Sequence, residues 1–142
     1  MMWTRTFSQV YPGLKKEDIW PLWTDINQWS SWHGDLDYCK LEGPFEVGNH
    51  FILKPKGAPA VKIVLTSIDE GQSFTDCTNF WGAKMYDTHA MIETPEGLLI
   101  SNTLVVSGPL QWLWIKLVAQ NVANTVPQEL EALVKLARSK HG

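Results

Sequence analysis

Cysteine is scarce in this chain: Cys39 and Cys77 are the only two in 142 residues, and neither has a C-x-x-C or Cys/His ligand spacing around it. Neither a disulfide framework nor a cysteine-based zinc site is therefore indicated. Long apolar runs are missing too, since nothing approaches the ~18 consecutive residues that a membrane span needs. The start, MMWTRTFSQV, has neither the basic region nor the apolar core of a secretory signal. A reducing cytoplasm is the expected location. Positive charge is sparse and dispersed. The formal net charge is −3, and the basic residues are scattered as Lys15-Lys16, Lys54-x-Lys56 and a few near the C-terminus. That pattern argues against a phosphate-tracking nucleic-acid surface. Linkers, repeats and low-complexity segments are also lacking, so residues 1–142 read as a single domain, long enough to bury roughly 68–70% of its unfolded surface.

Tryptophan, by contrast, is abundant. Four of the eight (Trp20, Trp23, Trp29, Trp32) fall within WPLWTDINQWSSWH, residues 20 to 33, which ends on His33. Residues 2–11 read as a strand ended by Pro12-Gly13. A short helix is expected from about Glu17 to Thr24, with Pro21 tolerable only close to its start. A second helical turn covers Asn27–Trp32. From Asp35 to Ser107, β-branched and aromatic runs alternate with turn clusters at Gly43-Pro44, Lys56 to Pro59, Asp69 to Gly71, Gly82 to Lys84 and Thr94 to Gly97, the spacing of an antiparallel meander. Gly108-Pro109 then opens a helix to about Lys140, whose stripe Ile115, Val118, Val122, Val126, Leu130, Leu133 and Ala137 follows the 3.6-residue period. Pro127 is expected to interrupt it, because its ring removes the N–H that the Ala123 carbonyl would accept.

Each proposed turn fixes which residues share a face of the sheet. A turn centred on Pro95-Glu96 sets Met91 beside Ile100, His89 beside Asn102, Asp87 beside Leu104 and Met85 beside Val106. One centred on Gly82-Ala83 sets Phe80 beside Met85, Thr78 beside Asp87, Asp76 beside His89 and Phe74 beside Met91. A third, on Glu70-Gly71, adds Leu65 beside Asp76 and Ile63 beside Thr78, and a fourth, around Ala58, brings in Phe51 and Leu53. All four turns put the apolar residues on one face and His50, Lys54, Lys62, Thr66, Thr75, Thr88, Ser101 and Thr103 on the other. The apolar face is interrupted by Asp76, His89 and Asn102 in one row and by Asp87 and Thr78 in the next. Buried without partners, such groups would each cost a few kcal/mol, so they should bond one another, water or a ligand.

The order of these pieces resembles the START-like (SRPBCC) superfamily and its bacterial polyketide cyclase/dehydrase-like branch. The resemblance spans nearly the whole chain and rests on Trp23-Thr24-Asp25, Trp29 and Trp32, the E-G-P-F-E-V-G of residues 42–48, Phe74-Thr75-Asp76, His89 and Gly108-Pro109-Leu110. It implies an α+β helix-grip fold: a curved antiparallel sheet of about six to seven strands wrapped around a long C-terminal helix, with two short helices after the first strand. Between sheet and helix it implies a cavity for an apolar or amphipathic small molecule. Such folds include carriers, cyclases, hormone receptors and chaperone activators, so the fold alone does not name an activity.

On that arrangement the two short helices plug one end of the half-barrel, a task suited to indoles, each of which buries about 150–250 Å². Trp20, Trp23 and Trp29 are expected as core. Trp32 and His33 are expected at the cavity mouth, and one of Trp112 and Trp114 at the entrance. Phe51, Leu53, Leu65, Phe74, Thr78, Asp87, Met91 and Asn102 would line the cavity from the sheet, with Trp112 and Asn121 contributing from the helix. Asp76 and His89 are candidates for an acid/base pair in which the carboxylate fixes the imidazole tautomer; a structural pair holding two strands in register is the alternative. With Asp87 they are also a possible metal-ligand set, although they match no established metal motif, and no metal or cofactor is expected. Asp35-x-Asp37 reads as a solvated edge. Three functions remain: a cytoplasmic binding protein for an apolar or amphipathic small molecule, as monomer or homodimer; a cyclase/dehydratase-like enzyme using Asp76 and His89; and a chaperone-activator-like interaction protein, which would need an apolar patch on the outer sheet face.

Overall fold

The computed structural model describes residues 2–140. Seven strands form one antiparallel sheet in the order β1-β7-β6-β5-β4-β3-β2: β1 (Trp3–Tyr11), β2 (Leu36–Leu41), β3 (His50–Pro55), β4 (Val61–Asp69), β5 (Ser73–Phe80), β6 (Ala83–Thr94) and β7 (Gly97–Ser107). Helix α1 (Lys16–Thr24) and a 3-10 turn (Ile26–Ser31) follow β1. After β7 comes one continuous helix made of α2 (Gln111–Trp114), a π-helical turn (Ile115–Ala119) and α3 (Gln120–Ser139). Among the described residues no helix is long and apolar enough to cross a membrane.

Alternation along the strands builds the core. In β7 every second residue is buried (Leu98, Ile100, Asn102, Leu104, Val106), and the partners of these residues on β6 share their face. The opposite face carries a polar row bonded to itself, with the apolar rows Val64, Cys77, Tyr86, Val105 and Ile92, Leu99 to either side of it. Thr6, Thr103, Thr88 and Thr75 lie in one cross-strand row, with hydroxyl contacts of 3.1 Å for Thr6–Thr103 and 2.8 Å for Thr75–Thr88. A bulge at Thr66 in β4 leaves Leu65 opposite Asp76 and Ile68 opposite Phe74, so both stay on the apolar face.

Two expectations are corrected. The β5–β6 turn falls on Trp81-Gly82, one residue earlier than expected, so Asp76 pairs with Asp87, Phe74 with His89, Thr78 with Met85 and Phe80 with Ala83. Moving the turn by one residue offsets the pairs by two and leaves every side chain on its predicted face. The cause lies far away in sequence. Gly82 adopts φ +77, its carbonyl accepts the Leu110 N–H at 2.9 Å, and a Cβ there would meet the Leu110 side chain at 2.7 Å. Nor does Pro127 interrupt the C-terminal helix: α3 runs through it, and the departure from α geometry is the π turn. From the last residue of that turn onward the buried stripe is Ala119, Ala123, Val126, Leu130, Leu133, Val134 and Ala137, whereas Ile115, Val118 and Val122 are only partly buried.

Candidate functional site

Among the described residues four polar side chains are buried on the concave face: Asp76 and Thr78 from β5, His89 from β6 and Asn102 from β7, with Asp87 of β6 half-buried beside them. The cross-strand pairing of Phe74 with His89 stacks their rings at 4.4 Å and 18°, which fixes the imidazole plane. Trp23 and Trp29 close over that ring at centroid distances of 5.7 and 6.4 Å. Asn102 Nδ2 donates to Asp87 Oδ1 at 2.7 Å and lies 3.3 Å from His89 Nδ1. His89 Nε2 faces both carboxylates, 3.5 Å from Asp87 Oδ1 and 3.7 Å from Asp76 Oδ2. The expected row is thus a compact cluster in which Asp76 meets His89 diagonally. Those two contacts are longer than the ~2.7–2.9 Å of a charge-assisted hydrogen bond.

Electrostatics bind the cluster into one unit. Burial opposes charge on His89, but Asp87, then Asp76 and Glu129, outweigh it and lift its pKa to about 9. Burial likewise pushes the Asp87 carboxyl up, helped by Asp76 and Glu129 and opposed by His89 and Asn102, to about 7. Asp76 is raised chiefly by desolvation. Near neutral pH the cluster can therefore take up and release protons, as an acid/base group must.

Glu129 of α3, not singled out in the sequence, turns its carboxylate toward this region and pairs with His33 Nε2 at 3.4 Å. Its spacing was the available signal: three residues beyond Val126 and four before Leu133, it sits on the inward side of the helix. Desolvation opposes charge on His33, but Glu129 and then Asp35 outweigh it, so the His33 pKa is raised. The pair's stabilisation should be complete below the unfolded-state pKa of about 6.5 and fade as pH rises through the higher folded value. Comparing thermal unfolding of His33→Gln with the parent from acid to alkaline pH checks this: the parent's advantage, about 1 kcal/mol for a partly screened pair, should shrink with rising pH. A constant difference would sink it.

The remaining predicted residues divide into three groups. Phe51, Leu65, Phe74, Thr78, Met91 and Asn102 are buried on the concave face, while Leu53, Trp32 and His33 are partly buried. Trp112 is 65% exposed and Asn121 is exposed, so neither faces the interior. Trp114 is the inward member of its pair, stacked on Phe80 at 4.6 Å with its indole N–H donating to the Trp81 carbonyl at 2.7 Å. Between sheet and helix there is a cleft of about 100 Å³ lined by Arg5, Thr6, Phe7, Asn102, Leu104, Ala123 and Val126. The β1 residues of this lining were not anticipated. A shallower groove of about 390 Å³ lies outside the sheet, along Lys16, Glu17, Trp20, Pro21, Glu70, Gly71 and Gln72, and includes none of the polar cluster.

No protein-family model and no curated protein matches the sequence. Solved structures do match, over nearly the whole chain. A START superfamily protein from Mycobacterium smegmatis superposes with a TM-score of 0.69 at 15% identity, covering 95% of this chain and 97% of its own. The fold is START-like helix-grip. Ara h 8.0201 matches this helix-grip chain with a TM-score of 0.75 at 12% identity, over 98% of it and 99% of its own length. Norcoclaurine synthase from Thalictrum flavum, solved with dopamine and hydroxybenzaldehyde, matches with a TM-score of 0.71 at 13% identity, over 97% of this chain and 88% of its own.

Proposed function

We propose that this helix-grip protein binds a small amphipathic molecule between the sheet and α3, its apolar part along Phe7, Leu104, Ala123 and Val126 and its polar end at Asn102. The observation that carries this reading is that the cleft reaches Asn102, which is bonded in turn to Asp87 and lies against His89. At about 100 Å³ the cleft is well below the ~300–1,000 Å³ of sites for drug-sized ligands. A ligand larger than a few water molecules must therefore move α3 outward from β1. Cys39 and Cys77 are free and buried, which suits a reducing cytoplasm.

The test is a titration with an environment-sensitive fatty-acid analogue, following tryptophan emission, alongside native mass spectrometry for a co-purified small molecule. Saturable binding is expected in the parent, with loss in Val126→Trp, which fills the cleft. Equal binding by both proteins would place the ligand elsewhere. A second reading, a cyclase/dehydratase-like enzyme, is favoured by the raised pKa of Asp87, about 7, beside a buried imidazole. It requires His89→Gln to lower turnover by roughly 10²–10⁴-fold, as expected for a general acid/base. A chaperone-activator-like role gains nothing from the hydrogen-bonded threonine row on the outer face.

A further inference from the structure

We propose that Asp76, Asp87 and His89 form a binding site for one divalent transition-metal ion of the Zn2+ type, an inference independent of the small-molecule reading. The three residues each direct one ligand atom into the same space, and those atoms lie within 4.8 Å of one another. The Nε2–carboxylate separations of 3.5 and 3.7 Å are too long for strong hydrogen bonds. They are close to the roughly 3.3–3.6 Å between two ligands on an ion held tetrahedrally by bonds of about 2.0–2.2 Å.

A second observation points the same way. The Asp76 side chain is 7% exposed, and its ion-pair contact with the His89 imidazole is long, at 3.7 Å. A carboxylate in that setting is costly unless something pairs with it, and a cation between Asp76, Asp87 and His89 would meet that need. Two carboxylates balance a divalent charge, leaving the filled site neutral in the apolar interior. The mixture of imidazole nitrogen and carboxylate oxygen suits Zn2+, whereas Ca2+ and Mg2+ prefer six or more oxygens.

The surroundings orient two of the ligands. Phe74, stacked on the imidazole, holds the ring plane of His89. Asn102 Nδ2 donates to Asp87 Oδ1 at 2.7 Å, an outer hydrogen bond that orients this carboxylate. Asp87 is the most exposed of the three ligands, its side chain at 18%, and Asn102 lines the cleft, which offers an entry path and room for a fourth ligand.

The test uses the full chain freed of metal with a chelator. Calorimetry with Zn2+ should give one ion per chain, and Co2+ should produce visible ligand-field bands. Asp76→Asn and His89→Gln should weaken both by about 100-fold or more, and Asn102→Ala by about 10–100-fold, the range for an outer-sphere partner. His33→Gln and His50→Gln should bind as the parent does. Should the ligand variants fail to fold, amide NMR of the parent with Co2+ decides: paramagnetic shifts and broadening centred on residues 76, 87, 89 and 102 support the site. No saturable binding by the parent, binding undiminished in both ligand variants, or perturbation centred on His33 or His50 overturns it.

Discussion

Truncation after Val126 is expected to yield a chain with no cooperative unfolding transition. The deletion removes Leu130, Leu133, Val134 and Ala137, all buried, with Leu133 fully so. Each of the three large side chains contributes about 1.5–3 kcal/mol on full burial, against a total stability of about 5–15 kcal/mol for a domain of this size. The loss extends further, because Leu130, Leu133, Val134 and Ala137 belong to the same cluster as Trp23, Trp29, Phe51 and Phe74. Without them the concave side of a seven-stranded sheet faces water. Calorimetry and circular dichroism on heating are the measurements; a truncated chain that melts cooperatively near the parent temperature would contradict the gripping arrangement.

Trp29→Ala should cost about 3–5 kcal/mol, as large-to-small changes of buried aromatics do. Trp29 is 6% exposed and packs against Phe51, Phe74 and Trp32 at centroid distances of 5.4, 6.4 and 6.5 Å. It also closes the end of α1. A helix leaves its last carbonyls without N–H partners, and the Trp29 indole N–H reaches two of them, Trp23 O at 3.1 Å and Leu22 O at 3.3 Å. Trp29→Phe separates the two roles: it keeps most of the packing but leaves those carbonyls unbonded, for a smaller loss of about 1–3 kcal/mol. Denaturant unfolding of the pair should rank parent above Phe above Ala. A Phe variant equal to the parent would mean that the N–H contributes nothing.

The density of tryptophan in residues 20–33 is thus explained by packing and capping, and much of that was legible beforehand. Period-two alternation and the turn residues placed every strand of the meander, and the β6–β7 register agrees pair by pair from Met85–Val106 to Met91–Ile100. Legibility failed where a distant contact chose between local options. Nothing within residues 78–86 says whether Gly82 is the first or second residue of its turn; Leu110, more than twenty positions away, decides it. Among the candidate site residues, alternation alone brought Asp76, Asp87, His89 and Asn102 to one face. Which of them touch depended on that same register, and Glu129 came into view only once the helix was laid over the sheet.

The π turn in the C-terminal helix bears on how this chain tolerates changes of length. Trp114 and Ala119 are five positions apart, and both turn inward, Trp114 onto Phe80 and Ala119 into the core. Regular α spacing back from Ala119 would instead select Ile115 and Trp112, the latter now 65% exposed. The turn therefore acts as a phase shifter of one residue, about 100° around the axis. Residues before it are indexed to the β5–β6 hairpin and residues after it to the sheet's concave face. Removing a single residue between 115 and 119 would merge the two frames into one uninterrupted spiral, and the half anchored less firmly would have to rotate. Because α3 carries most of the apolar contact, the rotation would fall on the first turns, drawing Trp114 off Phe80 and swinging Trp112 toward the space it left.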